Sequence, residues 1–376
     1  MRLALRELRR DPVLYIAGLM AVCSAVVVPP DAGYFEYIDL RTLALLFALM
    51  AVVGALRRRG VLDAVALLCV RRAGTRRALG ALLSLLCYFS SMLITNDVAL
   101  IAFVPLALIL MVDDRRSMAL TVAIQTVSAN LGSMMTPFGN PQNLYLYSAY
   151  RMGAAQFFRA VAPAGLAGLA AVLGLCLLLP AAPLPLAAMR AADRPATAND
   201  AAFAGRGKLW LPIALFLLCV AAVLRLVPCW LAAGVTALIL LLTDRPALRA
   251  VDWRLLITFC FFFVFVGNLA RLPAMVALLS GLLAGREVPV AALASQLISN
   301  VPAALMLSGF TDNGAALLTG ANIGGLGTLI ASMASLISFK LYCRAEGAKP
   351  GKYLIVFSAI NFALLALFLA AFGRPN

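Results

Sequence analysis

Two short polar stretches interrupt apolar runs in this chain, and they are where its chemistry has to lie. The first is Thr95-Asn96-Asp97, inside the run from Ser90 to Pro105; the second is Ser299-Asn300-Val301-Pro302, inside the run from Val290 to Phe310. An ionised Asp at hydrocarbon depth costs roughly 2.5 to 3.5 kcal/mol on insertion scales, so such residues usually face a cavity, an ion or a proton relay. Asp97 is therefore the first residue expected to carry an ion or a proton. A structural reading competes with it, in which the carboxylate accepts hydrogen bonds from backbone amides and Asn96 and Asn300 merely cap helices.

Two longer breaks accompany these stretches. From Ala129 to Asn143 the chain carries Asn130, Gly132, Thr136, Pro137, Gly139, Asn140, Pro141 and Asn143; from Gly320 to Thr328 it carries Asn322, Gly324, Gly325, Gly327 and Thr328. Residues of these types cannot continue a helix in lipid, so the helices must break there and turn their freed backbone groups toward something polar.

Composition sets the environment in which those breaks sit. The 376 residues are 64% hydrophobic and 12% charged, with a mean hydropathy of +0.98, which leaves too little polar surface for a soluble globule. The chain reads as an all-α polytopic membrane protein, with the lipid bilayer as its first partner. The net charge of +15 comes from Arg and Lys clustered between apolar runs, the mark of cytoplasmic loops and not of a nucleic-acid face. No nucleic-acid partner is expected. The eight cysteines lack metal-ligand spacing, so neither a zinc site nor a disulfide framework is expected, nor any other cofactor. Histidine is absent, which removes Ser-His chemistry and histidine relays; a translocated proton would have to ride on a carboxylate, a hydroxyl or water.

The elements that position the breaks follow from the same charge pattern. Arg2, Arg6, Arg9 and Arg10 precede a first span from Val13 to Val28, and arginines recur from Arg57 to Arg77 after a second span, Leu40 to Leu56. Both ends of this helical pair are expected in the cytoplasm. Val61 to Val70 is too short to cross and is expected at the inner interface. The segment from about 78 to 112 is predicted to be a re-entrant hairpin turning at Thr95 to Asp97, because a straight helix would deliver Arg115 and Arg116 to the outer face. A broken helix follows at about 117–150, then a return span from Gln156 to Leu179. Residues 181–208 read as a cytoplasmic linker between a first transmembrane repeat, 1–180, and a second, 209–376. In the second, a helical pair covers 209–242, Leu255 to Ala270 crosses, and Arg271 to Ala284 lies at the outer interface. A hairpin is predicted at about 290–310, a broken helix at about 315–343, and a last crossing from Tyr353 to Phe372. The chain is placed in the cell (cytoplasmic) membrane as a multi-pass protein, N-terminus cytoplasmic and C-terminus external.

Setting the halves side by side pairs Ile94-Thr95-Asn96 with Ile298-Ser299-Asn300, Ala129-Asn130-Leu131-Gly132 with Ala321-Asn322-Ile323-Gly324, and Thr136 with Thr328. The order, hairpin then broken helix, is the same, while the charge rule opens the two hairpins to opposite sides. Two inverted-topology repeats are therefore expected, and such repeats build a binding site near the bilayer midplane.

On these residues the chain resembles the ion transporter superfamily, which includes citrate transporters, divalent-anion/sodium symporters, arsenite permeases and a class of sodium/proton antiporters. The resemblance rests on Thr95-Asn96-Asp97 followed by Pro105, on the Thr136-Pro137-Phe138-Gly139-Asn140-Pro141-Gln142-Asn143 break and on Ser299-Asn300. It implies a secondary active transporter that moves a small inorganic or organic anion by alternating access, coupled to Na+ or H+, with a homodimer as its assembly. It implies no enzyme. Thr95, Asn96, Ser299, Asn300, Asn140 and Asn143 would bind substrate. Asp97, Asn96, Asn130, Gly132, Asn300, Asn322, Gly324, Thr136 and Thr328 would serve the coupling ion, with Na+ at the same residues.

The sequence departs from the carboxylate symporters, whose two tips both read Ser-Asn-Thr, by placing Asp97 and Val301 at the third positions. An Asn-Asp tip is nearer to arsenite permeases and cation/proton antiporters, which stand as the alternative. A channel lined by the same broken helices is the alternative from a different class. An intramembrane aspartyl protease would need a second deep carboxylate beside Asp97, and the apolar runs contain none.

Overall fold

A computed structural model describes residues 12–60, 73–184 and 209–373. The N-terminal arginines, the short apolar segment 61–70 and nearly all of the linker 181–208 lie outside the described residues. Every named element among those described is a helix: α1 Pro12–Val27, α2 Tyr34–Tyr37, α3 Leu40–Arg58, α4 Arg76–Ile94, α5 Asn96–Leu110, α6 Arg115–Ser133, α7 Pro141–Ala149, α8 Ala154–Cys176 and α9 Trp210–Val223. The chain continues with α10 Cys229–Thr243, α11 Arg245–Arg249, α12 Trp253–Ala270, α13 Pro273–Leu283, α14 Glu287–Ile298, α15 Asn300–Ser308, α16 Gly314–Ile323, α17 Met333–Cys343 and α18 Pro350–Phe372.

Five of these, α3, α4, α8, α12 and α18, are long and apolar enough to cross a membrane by themselves; α13 and α14 together would make a sixth, bent by 110°. The remaining helices are shorter because polar residues stop them. Among the described residues the outer face is greasy, with Leu19 on α1, Leu217 on α9, Leu242 on α10 and Ile355 on α18 all exposed, while polar side chains gather inside. That inversion of the soluble pattern is what lipid requires.

At both polar tips two helices meet and fold back on each other. The arms α4 and α5 pack against each other across Thr95, and α14 and α15 across Ser299. Each junction is one residue in a left-handed conformation, Thr95 at φ 75°, ψ 152° and Ser299 at φ 74°, ψ 154°. For a residue with a Cβ this region costs on the order of 1 to 3 kcal/mol and persists only where surrounding contacts enforce it. Asn96 and Asn300 then open the second arms. The strain is the same, to within two degrees, at two places that share no continuous sequence.

Two further helices stop at the longer polar stretches, and new ones start beyond them. The helix α6 stops at Ser133 and resumes as α7 at Pro141, where Asn140 caps the new start by accepting from the Asn143 amide (3.0 Å). The helix α16 stops at Ile323 and resumes as α17 at Met333, capped by Ser332 on the Ala334 amide (3.2 Å). A free hydroxyl or amide at N-cap satisfies a donor that no helical carbonyl can reach.

The halves interlock. Each first hairpin arm lies on its own broken helix, α4 on α6 and α14 on α16, whereas the second half of each broken helix crosses to the other hairpin, α17 onto α5 and α7 onto α15. Side chains fix the crossing: Tyr145 and Tyr150 of α7 reach Ser308 at the end of α15 (2.7 and 2.9 Å), and the Thr126 hydroxyl of α6 reaches Ser338 of α17 (2.8 Å).

Candidate functional site

Glycines bring the hairpins close enough to the breaks to make a site. A methyl group at Gly132 would overlap the Tyr88 carbonyl oxygen of α4, and one at Gly324 would stand 2.5 Å from Ser295 Oγ and 2.9 Å from Ala292 Cα of α14. In both halves the break therefore touches the first hairpin arm about one turn before its tip. The threonines past the breaks complete the joint: Thr136 donates to the Met92 carbonyl (2.5 Å) and Thr328 to the Gln296 carbonyl (3.0 Å). Thr136 and Thr328 thus fasten hairpins to breaks through their hydroxyls, and the Thr136 carbonyl also accepts from Asn143 (3.0 Å).

The centre is a chain of buried amides and hydroxyls. Asn96 donates to Asn130 Oδ1 (3.2 Å). Asn130 in turn donates across the halves to the Gly325 carbonyl (3.2 Å), and its Oδ1 accepts from Ser332 (2.9 Å). Gly325 faces both halves, since a methyl group there would lie 3.1 Å from Asn300 Nδ2 and 3.8 Å from Asn130 Cγ. On the other side Asn140 donates to Asn322 Oδ1 (3.0 Å) and to Ser133 Oγ (3.2 Å), while Asn322 donates to Asn143 Oδ1 (2.6 Å). Ser133 donates to the Asn130 carbonyl (3.0 Å), which closes the two sets into one network. Asn96, Asn130, Asn140, Asn143, Asn300 and Asn322 are all nearly inaccessible. Buried polar groups of this kind are stable only when fully paired, so the network specifies how the halves dock.

The ties are reciprocal. Asn140 and Asn143, at the restart of the first broken helix, bond Asn322 of the second; Ser332 bonds Asn130 of the first, and Ser335 stands 3.5 Å from its amide. The second hairpin docks likewise through backbone, with the Asn300 amide donating to the Ala331 carbonyl (3.0 Å) and the Ser299 hydroxyl 3.5 Å from the same oxygen.

Asp97 differs from everything around it. Its amide donates to Asn96 Oδ1 (3.0 Å), but its carboxylate Oδ1 is buried and has no hydrogen-bond partner. A carboxylate that served the hairpin as a cap would be surrounded by amide donors. The Asp97 oxygen is not alone in lacking a partner, since the buried Gln142 Oε1 beside Asn143 also has none. Thr95 makes no side-chain cap bond, and its contribution is the backbone turn.

Several members of this centre are not conspicuous in the sequence: Ser133, Gln296, Gly325, Ser332 and Ser335. Ser332 and Ser335 stand opposite Asn140 and Asn143 when the halves are aligned through the breaks, and Gln296 stands opposite Met92 when they are aligned through the tips. Carrying the alignment past its identical residues would have found them.

What the arrangement can do follows from helix ends. The starts of α5, α7, α15 and α17 meet at this network, each carrying the positive end of a helix dipole, about half a charge, while the ends of α6 and α16 present carbonyls. A centre of this kind, buried in a bundle that is apolar outside, can hold a small polar solute and its counter-ion, and the class it defines is a multi-pass membrane transporter.

Comparison with known proteins makes the class specific. The model of a family described as citrate transporter matches residues 1–321, and the chain belongs to that family. It is 31% identical over 366 residues to an uncharacterized transporter, MJ0456, of Methanocaldococcus jannaschii, covering 95% of each chain. It is 29% identical to the inner membrane protein YbiR of Escherichia coli, covering 90% of this chain and 89% of that one. A shorter similarity, 32% over 143 residues, joins it to the silicon efflux transporter LSI3 of Oryza sativa and covers 38% of this chain and 29% of the relative. The family and these relatives are transporters, not enzymes.

Proposed function

We propose that this protein is a secondary active transporter that moves a small anion, a carboxylate or an inorganic oxyanion, across the cytoplasmic membrane, coupled to H+ or Na+. The observation that carries this reading is the amide network that joins the first hairpin tip to both broken helices, with the second tip docked beside it on the Ala331 carbonyl and an unpartnered carboxylate oxygen at Asp97. Four helix starts against two helix ends favour a negatively charged or strongly polarised solute. Asn96, Asn130, Asn300 and Asn322 bind it in the open states, and Asp97 carries the coupling ion. Matched strain at Thr95 and Ser299, and the reciprocal crossing of α7 and α17, support two repeats of inverted topology. Alternating access then arises when the hairpins, each tied to its own break, shift against the long spans α3, α8, α12 and α18. The N-terminus lies in the cytoplasm and the C-terminus outside on the charge rule, and a homodimer is the expected assembly.

A second reading, efflux of a weakly ionised inorganic oxyacid such as silicic or arsenous acid, is favoured by one feature. Among the described residues no Lys or Arg donates to the network, whose one charge is Asp97. A fully ionised tricarboxylate would meet that charge with amides and hydroxyls alone. The similarity to a silicon efflux transporter points the same way.

The experiment is transport in proteoliposomes with imposed pH or sodium gradients and a panel of citrate, succinate, sulfate, arsenite and silicic acid. Gradient-driven movement of one solute that collapses in Asp97→Asn and in Asn300→Ala is the expected result. Wild-type rates in both variants under every gradient would refute the assignment.

A further inference from the structure

The two breaks expose backbone carbonyls in the interior of a membrane protein, and unwound carbonyls of this kind are what a transporter offers to a coordinated cation. Here each set is already filled. The side-chain nitrogen of Asn143 lies 3.3 Å from the Ser133 carbonyl oxygen, 3.2 Å from that of Met134 and 3.0 Å from that of Thr136. The side-chain nitrogen of Gln296 lies 3.0 Å from the Gly324 oxygen, 2.9 Å from that of Leu326 and 2.9 Å from that of Ala292.

Each amide nitrogen thus sits inside three carbonyl oxygens with only two hydrogens to share among them, a crowding more typical of a cation than of an amide. The orientation of both amides is fixed by their other ends. Gln296 Oε1 accepts from the Thr328 backbone amide (2.9 Å), which can only donate, and Asn143 Oδ1 accepts from Asn322 (2.6 Å). Gln296 also has room made for it. Gly327, at φ 103°, lies against Gln296 Oε1 so closely that any larger residue would displace the side chain. The two amides come from different elements, Asn143 from the restart of the first broken helix and Gln296 from the first arm of the second hairpin, yet they do the same thing.

We infer that the side-chain nitrogens of Asn143 and Gln296 are built-in substitutes for a bound cation at the two breaks, so that neither break takes sodium in this protein. The inference rests on the reading of the network as the transport site and sharpens it. Of the coupling ions that reading allows, sodium loses its carbonyl ligands at both breaks. Gln296 and Asn143 are ion-specificity residues under this assignment. Their effect is to make the breaks rigid without an ion, and to leave the tip carboxylate as the place where coupling occurs.

The test is binding of the metal ion alone, read as thermal stability of the purified full-length protein in sodium chloride against choline chloride at equal ionic strength. A ligand that binds the folded state raises its melting temperature in proportion to the logarithm of its concentration. The Asp97→Asn protein, which has no tip carboxylate to hold a cation, is expected to melt at the same temperature in both salts. Gln296→Glu exchanges the nitrogen for an oxygen that repels the three carbonyls unless a cation enters between them. It is expected to melt well below wild type in choline and to recover several degrees in sodium, saturably. Asn143→Asp poses the same question at the first break should the Gln296 variant fail to fold. A saturable, sodium-specific rise in the melting temperature of Asp97→Asn would overturn the inference, as would Gln296→Glu or Asn143→Asp variants that respond to sodium no more than wild type does. Because the readout is binding and not transport, inactivity of the protein in every gradient would count against the transporter reading alone.

Discussion

The two hairpin tips share a backbone and differ in one side chain. Thr95 and Ser299 adopt the same left-handed conformation, Asn96 and Asn300 follow, and then the first tip carries Asp97 where the second carries Val301. The halves around them differ in the same sense. In the first, the amide that holds the break open is Asn143, which lies beyond the break on α7; in the second it is Gln296, which lies on the hairpin itself. The second hairpin is accordingly bonded to its break through the Gln296 side chain as well as through Thr328, while the first hairpin is bonded through Thr136 and through Asn96 to Asn130, and carries the unpartnered carboxylate oxygen. The lesson is a division of labour within a nearly symmetric frame: the amide that fills the break comes from beyond the break in the first half and from the hairpin itself in the second.

This contrast can be broken at its tightest point. Gly132 meets backbone of α4, which cannot move aside, whereas the nearest neighbour of Gly324 is the rotatable Ser295 hydroxyl. Gly132→Ala is expected to lose about 3 kcal/mol of stability and Gly324→Ala nearer 1 to 2 kcal/mol. Thermal unfolding of the two purified variants side by side is the check, and equal losses would remove the structural asymmetry. The cross-tie comes next. Asn322→Ala strands Asn143 Oδ1 in a dry interior and leaves Asn140 Nδ2 only its bond to Ser133; it is expected to cost about 2 kcal/mol, more than Ser332→Ala at the reciprocal position, which leaves Asn130 Oδ1 its bond from Asn96.

Smaller effects sharpen the comparison. Thr136→Val removes one hydrogen bond and should cost about 1 kcal/mol; Thr328→Val removes two, its own to Gln296 and the one it accepts from the Ala331 amide (3.1 Å), and should cost somewhat more, although that amide keeps the Thr328 carbonyl (3.2 Å). The weakest concerns the entry to the first broken helix. Asp114 caps α6, accepts from the Ser117 hydroxyl (2.6 Å) and pairs with Arg76 of the hairpin (2.5 Å). Burial pushes its carboxyl up, but the Ser117 hydrogen bonds and the Arg76 charge outweigh burial and hold it below the usual carboxylate value. A carboxyl depressed in the folded state lends stability that is complete above the unfolded value, about 3.9, and is lost as pH falls through the folded one. Melting curves below pH 4 should therefore converge for wild type and Asp114→Asn, and differ above it.

Much of this was legible in the sequence, for a physical reason. A hydrocarbon interior tolerates so few polar residues that each cluster of them announces a break, and the tips at Thr95 and Ser299 and the restarts near Asn140 and Ser332 stand close to where the polar residues put them. The boundaries moved by a few residues: the first hairpin runs Arg76–Leu110 and the second Glu287–Ser308. What could not be read was partnership. Gln296 looks like one polar residue in an apolar arm, and only the fold shows that it reaches three carbonyls; Asn143 reads as a ligand, while in the structure both ends of its amide are taken by the protein itself. The serines at 332 and 335 differ from their asparagine counterparts, so identity between halves hides the very residues that carry the crossing.

The account stands or falls on the two tips facing one pocket, and a carboxylate swap between them tests that most directly. Gradient-driven solute movement in proteoliposomes would be measured for Asp97→Val and for Asp97→Val combined with Val301→Asp. The account predicts a fall of roughly tenfold or more in the single variant, equivalent to about 1.4 kcal/mol in the rate-limiting step, and partial recovery when the carboxylate returns from the opposite tip. Unimpaired transport by Asp97→Val, or a double variant no more active than the single one, would contradict it.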